Sequence, residues 1–119
     1  MKMSEIQEAR EASGIEDWGA GYYWIDLDGS VVCYPTCNES QSISIQKVIE
    51  ESIAKGAKLP LIIRFPQVIR SQLKRMHSAF AKSIKNYEYP GKHIGVFPYK
   101  VNQRREFIDA IVACGKELG

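Results

Sequence analysis

No apolar run in this chain approaches the roughly 20 residues that a membrane-spanning helix requires, so the sequence offers no transmembrane segment. Met1-Lys2-Met3 leads into polar residues rather than a hydrophobic stretch, and no secretory signal is expected. Cysteine is scarce: Cys33, Cys37 and Cys114 form an odd set. A structural zinc site takes four ligands, commonly as two close pairs, and only Cys33 and Cys37 have such spacing. His77 and His93 lack the close pairing of a zinc finger, so no metal is assigned to these side chains. An excess of one charge is also missing. A net charge of +2 is too mild to imply a nucleic-acid partner. There is no repeat, no low-complexity segment and no glycine-rich phosphate loop. Gly19-Ala20-Gly21 precedes a strand-like stretch rather than a helix, which makes it weak support for anion binding.

What is present is ordinary in bulk and informative in pattern. At 45% hydrophobic and 25% charged, the chain has the usage of a soluble globular protein, expected to be cytoplasmic with reduced thiols. A chain this long buries roughly two-thirds of its unfolded surface, enough for a real core. Ser4-Glu5-Ile6-Gln7 has the form of a capping box opening a short helix that Gly14 would end. Tyr22 to Asp26 and Ser30 to Tyr34 read as strands joined by Asp28-Gly29 in a hairpin. Ile45, Val48, Ile49 and Ile53 follow helical spacing, with Ser42 or Ser44 as cap and Gly56 just past the end.

The second half changes period. Leu61 to Phe65 reads as a buried strand stopped by Pro66. A long stripe follows at helical spacing: Val68 or Ile69, Leu73, Met76, Phe80, Ile84 and Tyr87. Ile94 to Phe97 is a second strand, and Phe107, Ile108, Ile111 and Val112 mark a closing helix with Gly115 as its expected terminator. Strand-helix-strand-helix in this order is the signature of parallel βα units. Lys100 follows the second strand at what would be its carboxyl end, where α/β folds place their chemistry. A lysine there can form a Schiff base if its surroundings keep some of the amine neutral.

Four ordered motifs carry a resemblance. Trp18-Gly19-Ala20-Gly21-Tyr22-Tyr23, Leu59 to Ile69 with its Phe65-Pro66-Gln67, Tyr87-Glu88-Tyr89-Pro90-Gly91, and Pro98-Tyr99-Lys100-Val101-Asn102-Gln103 resemble segments of the biosynthetic arginine decarboxylases. The likeness runs from about Ile15 to Gly119 and is weakest between Thr36 and Gly56. It implies pyridoxal 5'-phosphate as cofactor, bound to Lys100 as an internal aldimine, and allows Mg2+ beside it. It implies arginine as substrate, agmatine and carbon dioxide as products, a place in polyamine biosynthesis, and a homo-oligomer.

The expected fold class is α/β. By resemblance, residues 58–119 are the first βα units of a cofactor-binding (β/α)8 barrel, and residues 1–57 are a helix, hairpin and helix from a β-rich domain. A whole barrel needs roughly 250 residues, so the barrel is incomplete in a chain of 119. The isolated chain is expected to be inactive and, with sheet edges open, to self-associate. The other reading is a noncatalytic module kept for folding or subunit association, with Lys100 a surface lysine. Around Lys100, Tyr99 is expected to pack, Asn102 and Gln103 to cap or brace, and Arg104, Arg105, Glu106 and Asp109 to be solvated helix charges.

Overall fold

The computed structural model describes residues 2–118. They fall into two compact units, one ending at Arg64 and one beginning at Phe65. The first holds helices α1 (Met3–Ser13) and α2 (Ile15–Trp18), strands β1 (Tyr23–Ile25), β2 (Val31–Cys33) and β3 (Ile43–Ser44), and helix α3 (Ile45–Ala54). The second holds α4 (Pro66–Asn86), a 3-10 turn at Tyr99–Val101, and α5 (Arg105–Leu118).

Helix α1 begins earlier than the Ser4 capping box suggested. Lys2 is its N-cap, and the Glu5 carboxylate accepts the Lys2 backbone N–H at 2.8 Å. That is half of a capping box, since an ammonium side chain cannot accept the reciprocal bond. Gly14, with φ of 62°, closes the helix. The expected hairpin forms as drawn, with Tyr23 opposite Cys33 and Ile25 opposite Val31. Its turn is held by the Gly29 N–H on the Asp26 carbonyl and by the Asp28 carboxylate accepting Ser30 N–H at 2.8 Å. Strand β3 adds to β2, giving a three-stranded antiparallel sheet in the order β1-β2-β3. Ser44 caps α3 by accepting the Lys47 N–H.

The core of this unit is Ile6, Ile15 and Ile25, with Ala9, Tyr23 and Trp24 packed against it. Tyr22 and Val32 are also buried. Trp18 is exposed. Its indole N–H donates to the Ser13 carbonyl at 2.9 Å, and its ring tilts against Tyr23. Gly19 explains the Trp-Gly pair: a Cβ there would stand 2.4 Å from the Ile15 carbonyl oxygen and 2.6 Å from that of Tyr23. Backbone cannot yield at such distances, so only glycine fits.

In the second unit α4 starts with Pro66 in its first turn, where a missing N–H costs nothing. Leu73, Ile111 and Cys114 form a small core, with Ile69, Phe97, Phe107 and Leu118 against it. Arg70 and Lys74 reach Glu117 across the same two helices. Four expectations fail here. Phe80 does not share the Leu73 core; it is 48% exposed and stacks on His93. Met76 and Tyr87, drawn on the same stripe, are exposed. Gly115 does not end α5, which continues to Leu118. Leu61 to Phe65 and Ile94 to Phe97 carry no regular secondary structure and are not strands.

The last failure has a simple cause. A strand exists by exchanging N–H and C=O bonds with a neighbour, and neither segment has a sheet ladder among the described residues. The alternation of a strand survives nonetheless in the first of them. Leu61, Ile63 and Phe65 are half-buried while Ile62 and Arg64 are exposed. In the second, His93 and Phe97 are half-buried and all three residues between them are exposed, Ile94 at 69% and Val96 at 86%. The α/β class and a small antiparallel sheet are present; a parallel barrel sheet is not formed by these residues.

Candidate functional site

Lys100 lies at the middle of the 3-10 turn, between irregular residues 92–98 and α5, rather than at the end of a strand. Pro98 opens that turn at φ −77°, the value its ring imposes. The Val101 and Asn102 N–H groups close it onto the Pro98 and Tyr99 carbonyls. Asn102 then accepts the Arg104 N–H through its side-chain oxygen at 3.2 Å, and the Arg104 carbonyl receives the first bonds of α5. Asn102 is thus a brace between the lysine turn and the helix, as expected. Gln103 is exposed.

The side chains around Lys100 do not converge on it. Lys100 is exposed, as are Arg104, Arg105, Glu106 and Asp109. Arg105 pairs with Asp109 one turn along α5 at 3.4 Å, a surface contact of little energy. Tyr99 turns elsewhere, into a groove of about 420 Å³. That groove runs between α4, α5 and residues 93–97, with mostly apolar walls from Leu73, Met76, Val96, Phe97, Ile111 and Val112.

At the same groove the fold assembles what sequence reading missed. His77, on α4, and His93, on the irregular segment, stand 6.2 Å apart between ring centroids. The Phe80 ring lies 4.0 Å from His93 and within 2° of parallel. The signal was present in the spacing. His77 and Phe80 are one helical turn apart on α4, and His93 is half-buried like Phe97. The cysteines do not gather: Cys33 and Cys114 are buried, Cys37 is exposed, and none of the three is in a disulfide. Burial pushes the Cys33 thiol upward, and burial with the neighbouring Cys33 does the same to the Tyr23 phenol opposite.

Among the described residues no group of three or more histidine, cysteine, aspartate or glutamate side chains is placed to hold a metal. That includes the oxygen-rich set Mg2+ prefers. For pyridoxal phosphate the described residues fit one contact. An accessible primary amine is present at Lys100, while no carboxylate for a ring nitrogen and no cluster of donors for a phosphate is assembled beside it.

No protein-family model matches the chain. Curated proteins do. It is 34% identical over 111 residues to the biosynthetic arginine decarboxylase of Parasynechococcus marenigrum strain WH8102, covering 93% of this chain and 17% of that protein. It is 30% identical over 115 residues to that of Vibrio vulnificus strain YJ016, covering 97% of the chain and 18% of the relative. Biosynthetic arginine decarboxylase 2 of a Synechocystis strain matches at 33% over 120 residues, again 18% of the relative. None of the described helices is long and apolar enough to cross a membrane. The chain spans less than a fifth of the length of these relatives, and along nearly all of its own length it is similar to biosynthetic arginine decarboxylases.

Proposed function

We propose that this chain is the cofactor-lysine segment of a pyridoxal-phosphate-dependent arginine decarboxylase, which converts L-arginine to agmatine and carbon dioxide in polyamine biosynthesis. The observation that carries this reading is the similarity along 93% of the chain to a protein bearing that name. The four motifs, in family order, support it. In this reading Lys100 holds the cofactor through its amine, which must be neutral to do so. When bound, the cofactor supplies the electron sink for the charge left as the carboxylate departs.

The chain's own residues then have positioning roles. Pro98 and Asn102 fix the turn that carries Lys100. Ile111 and Cys114 anchor α5, and with it the end of that turn, on α4. Residues 61–65, alternating in burial like a strand, and residues 94–97 are the candidate first strands of the barrel, completed by sheet partners from the rest of the parent. Groups for the cofactor phosphate, its ring nitrogen and the substrate guanidinium come from there too. Mg2+ receives no role. The parent enzyme is proposed to be a cytoplasmic homo-oligomer. The second reading, a noncatalytic module for folding or association, draws on the exposure of Lys100 and the lack of a second catalytic group beside it.

A chimera separates the two. This chain replaces the matching 111 residues of the Parasynechococcus relative, and agmatine production from arginine is measured. The chimera is expected to be active and to lose several orders of magnitude on Lys100→Ala. A folded chimera without activity, or one indifferent to Lys100→Ala, would refute the proposal.

A further inference from the structure

We propose that His77 and His93 form a two-imidazole site for a divalent late transition-metal ion, Zn2+ above all, which clips the segment before Lys100 onto α4. The two rings come from elements 16 residues apart in sequence and stand 6.2 Å apart. A zinc–imidazole bond is about 2.0–2.1 Å, and each ring centre lies roughly a further 1.2 Å behind its nitrogen. Two rings sharing one ion therefore have centroids ~5 Å apart at a tetrahedral angle and ~6.4 Å apart when collinear. The observed separation lies near the collinear end of that interval, so a tetrahedral zinc draws the two rings about 1 Å closer together.

Preorganisation comes from the same helix. Phe80, one turn beyond His77, lies flat on His93 at 4.0 Å and sets that ring's plane. Both imidazoles also line a hollow of about 270 Å³ with Ala81, Ile84, Gly91 and Lys92. That is room for an ion and the waters that complete its shell. No aspartate or glutamate lines the hollow, so the donor set is nitrogen alone. Imidazole suits zinc, copper and nickel, whereas Mg2+ and Ca2+ demand oxygen. Lys92 is the opposing term: its ammonium lines the hollow and repels a cation, which limits affinity.

The test is a Zn2+ titration of the chain under reducing conditions, followed by the ring Cε1–H signals of both histidines and by thermal melts. The two signals should move together and saturably, with a rise in melting temperature that follows occupancy. His77→Gln and His93→Gln should each abolish the coupled response and the thermal shift. Lys92→Ala, an exposed change, should tighten binding several-fold. The proposal is overturned if zinc leaves both histidine signals in place. It also fails if they respond independently, or if binding persists in the double His77→Gln, His93→Gln variant through the cysteines.

Discussion

At the scale of single residues, burial rather than hydrophobicity separates the side chains that hold this chain together. Leu73 is 9% exposed while Phe80 on the same helix is 48% exposed, though their spacing gave them equal standing in the sequence. Leu73→Ala should lower stability by about 2–3 kcal/mol, at the lower end for such truncations because its core is small and can partly collapse. Lys82→Ala, on the exposed face, should stay within about 0.5 kcal/mol. Urea melts of the two variants decide it, and equal effects would disprove the assigned face. A second residue-level expectation concerns alkali. The Cys33 thiol is raised from an ordinary value of 9.0, so folding favours its protonated form. That contribution is complete below pH 9 and is lost as the pH climbs through the raised folded value. The Tyr23 phenol, raised from 10.0, acts with the same sign at higher pH. Urea midpoints should fall from pH 8 to pH 10, less steeply in Cys33→Ala than in the parent chain. An equal slope in that variant would exclude Cys33 as a cause.

Elements were legible in the sequence wherever their bonds are local. The hairpin at Asp28-Gly29 and the Ser44 cap of α3 each depend on residues within a turn or two. Both form as read, whereas Pro66, read as a strand stop, opens α4. The misreadings share a different physics. Residues 61–65 and 94–97 have strand periodicity, but a ladder needs a partner that periodicity does not supply. Gly115 looked like a stop because glycine so often is one, yet the apolar spacing of α5 carries the helix past it. The site was half legible in the same way. The Asn102 brace is local and was readable, whereas Lys100, read at the end of a strand, stands in a 3-10 turn, and the His77–His93 pair required two distant elements to meet. Gly115 also yields a direct expectation. A Cβ there meets no heavy atom within 4 Å, so Gly115→Ala should stabilise the helix by about 0.5–1 kcal/mol. A loss of stability on thermal melting would mean that α5 does not pass through this residue.

For the whole molecule, the features that look unfinished agree with one another. Ile94 and Val96 present apolar side chains to solvent, two segments read as strands lack a ladder, and Lys100 is exposed. Each is accounted for if these residues are one part of a larger enzyme, of which the similar proteins are five to six times as long. The most direct measurement is where the cofactor attaches. The chimera with the Parasynechococcus relative is purified with pyridoxal phosphate, reduced with borohydride and mapped by peptide mass spectrometry. The pyridoxyl group should be found on the peptide carrying Lys100 and should disappear from the protein in Lys100→Ala. A pyridoxyl group on another lysine, in an active chimera, would contradict the account.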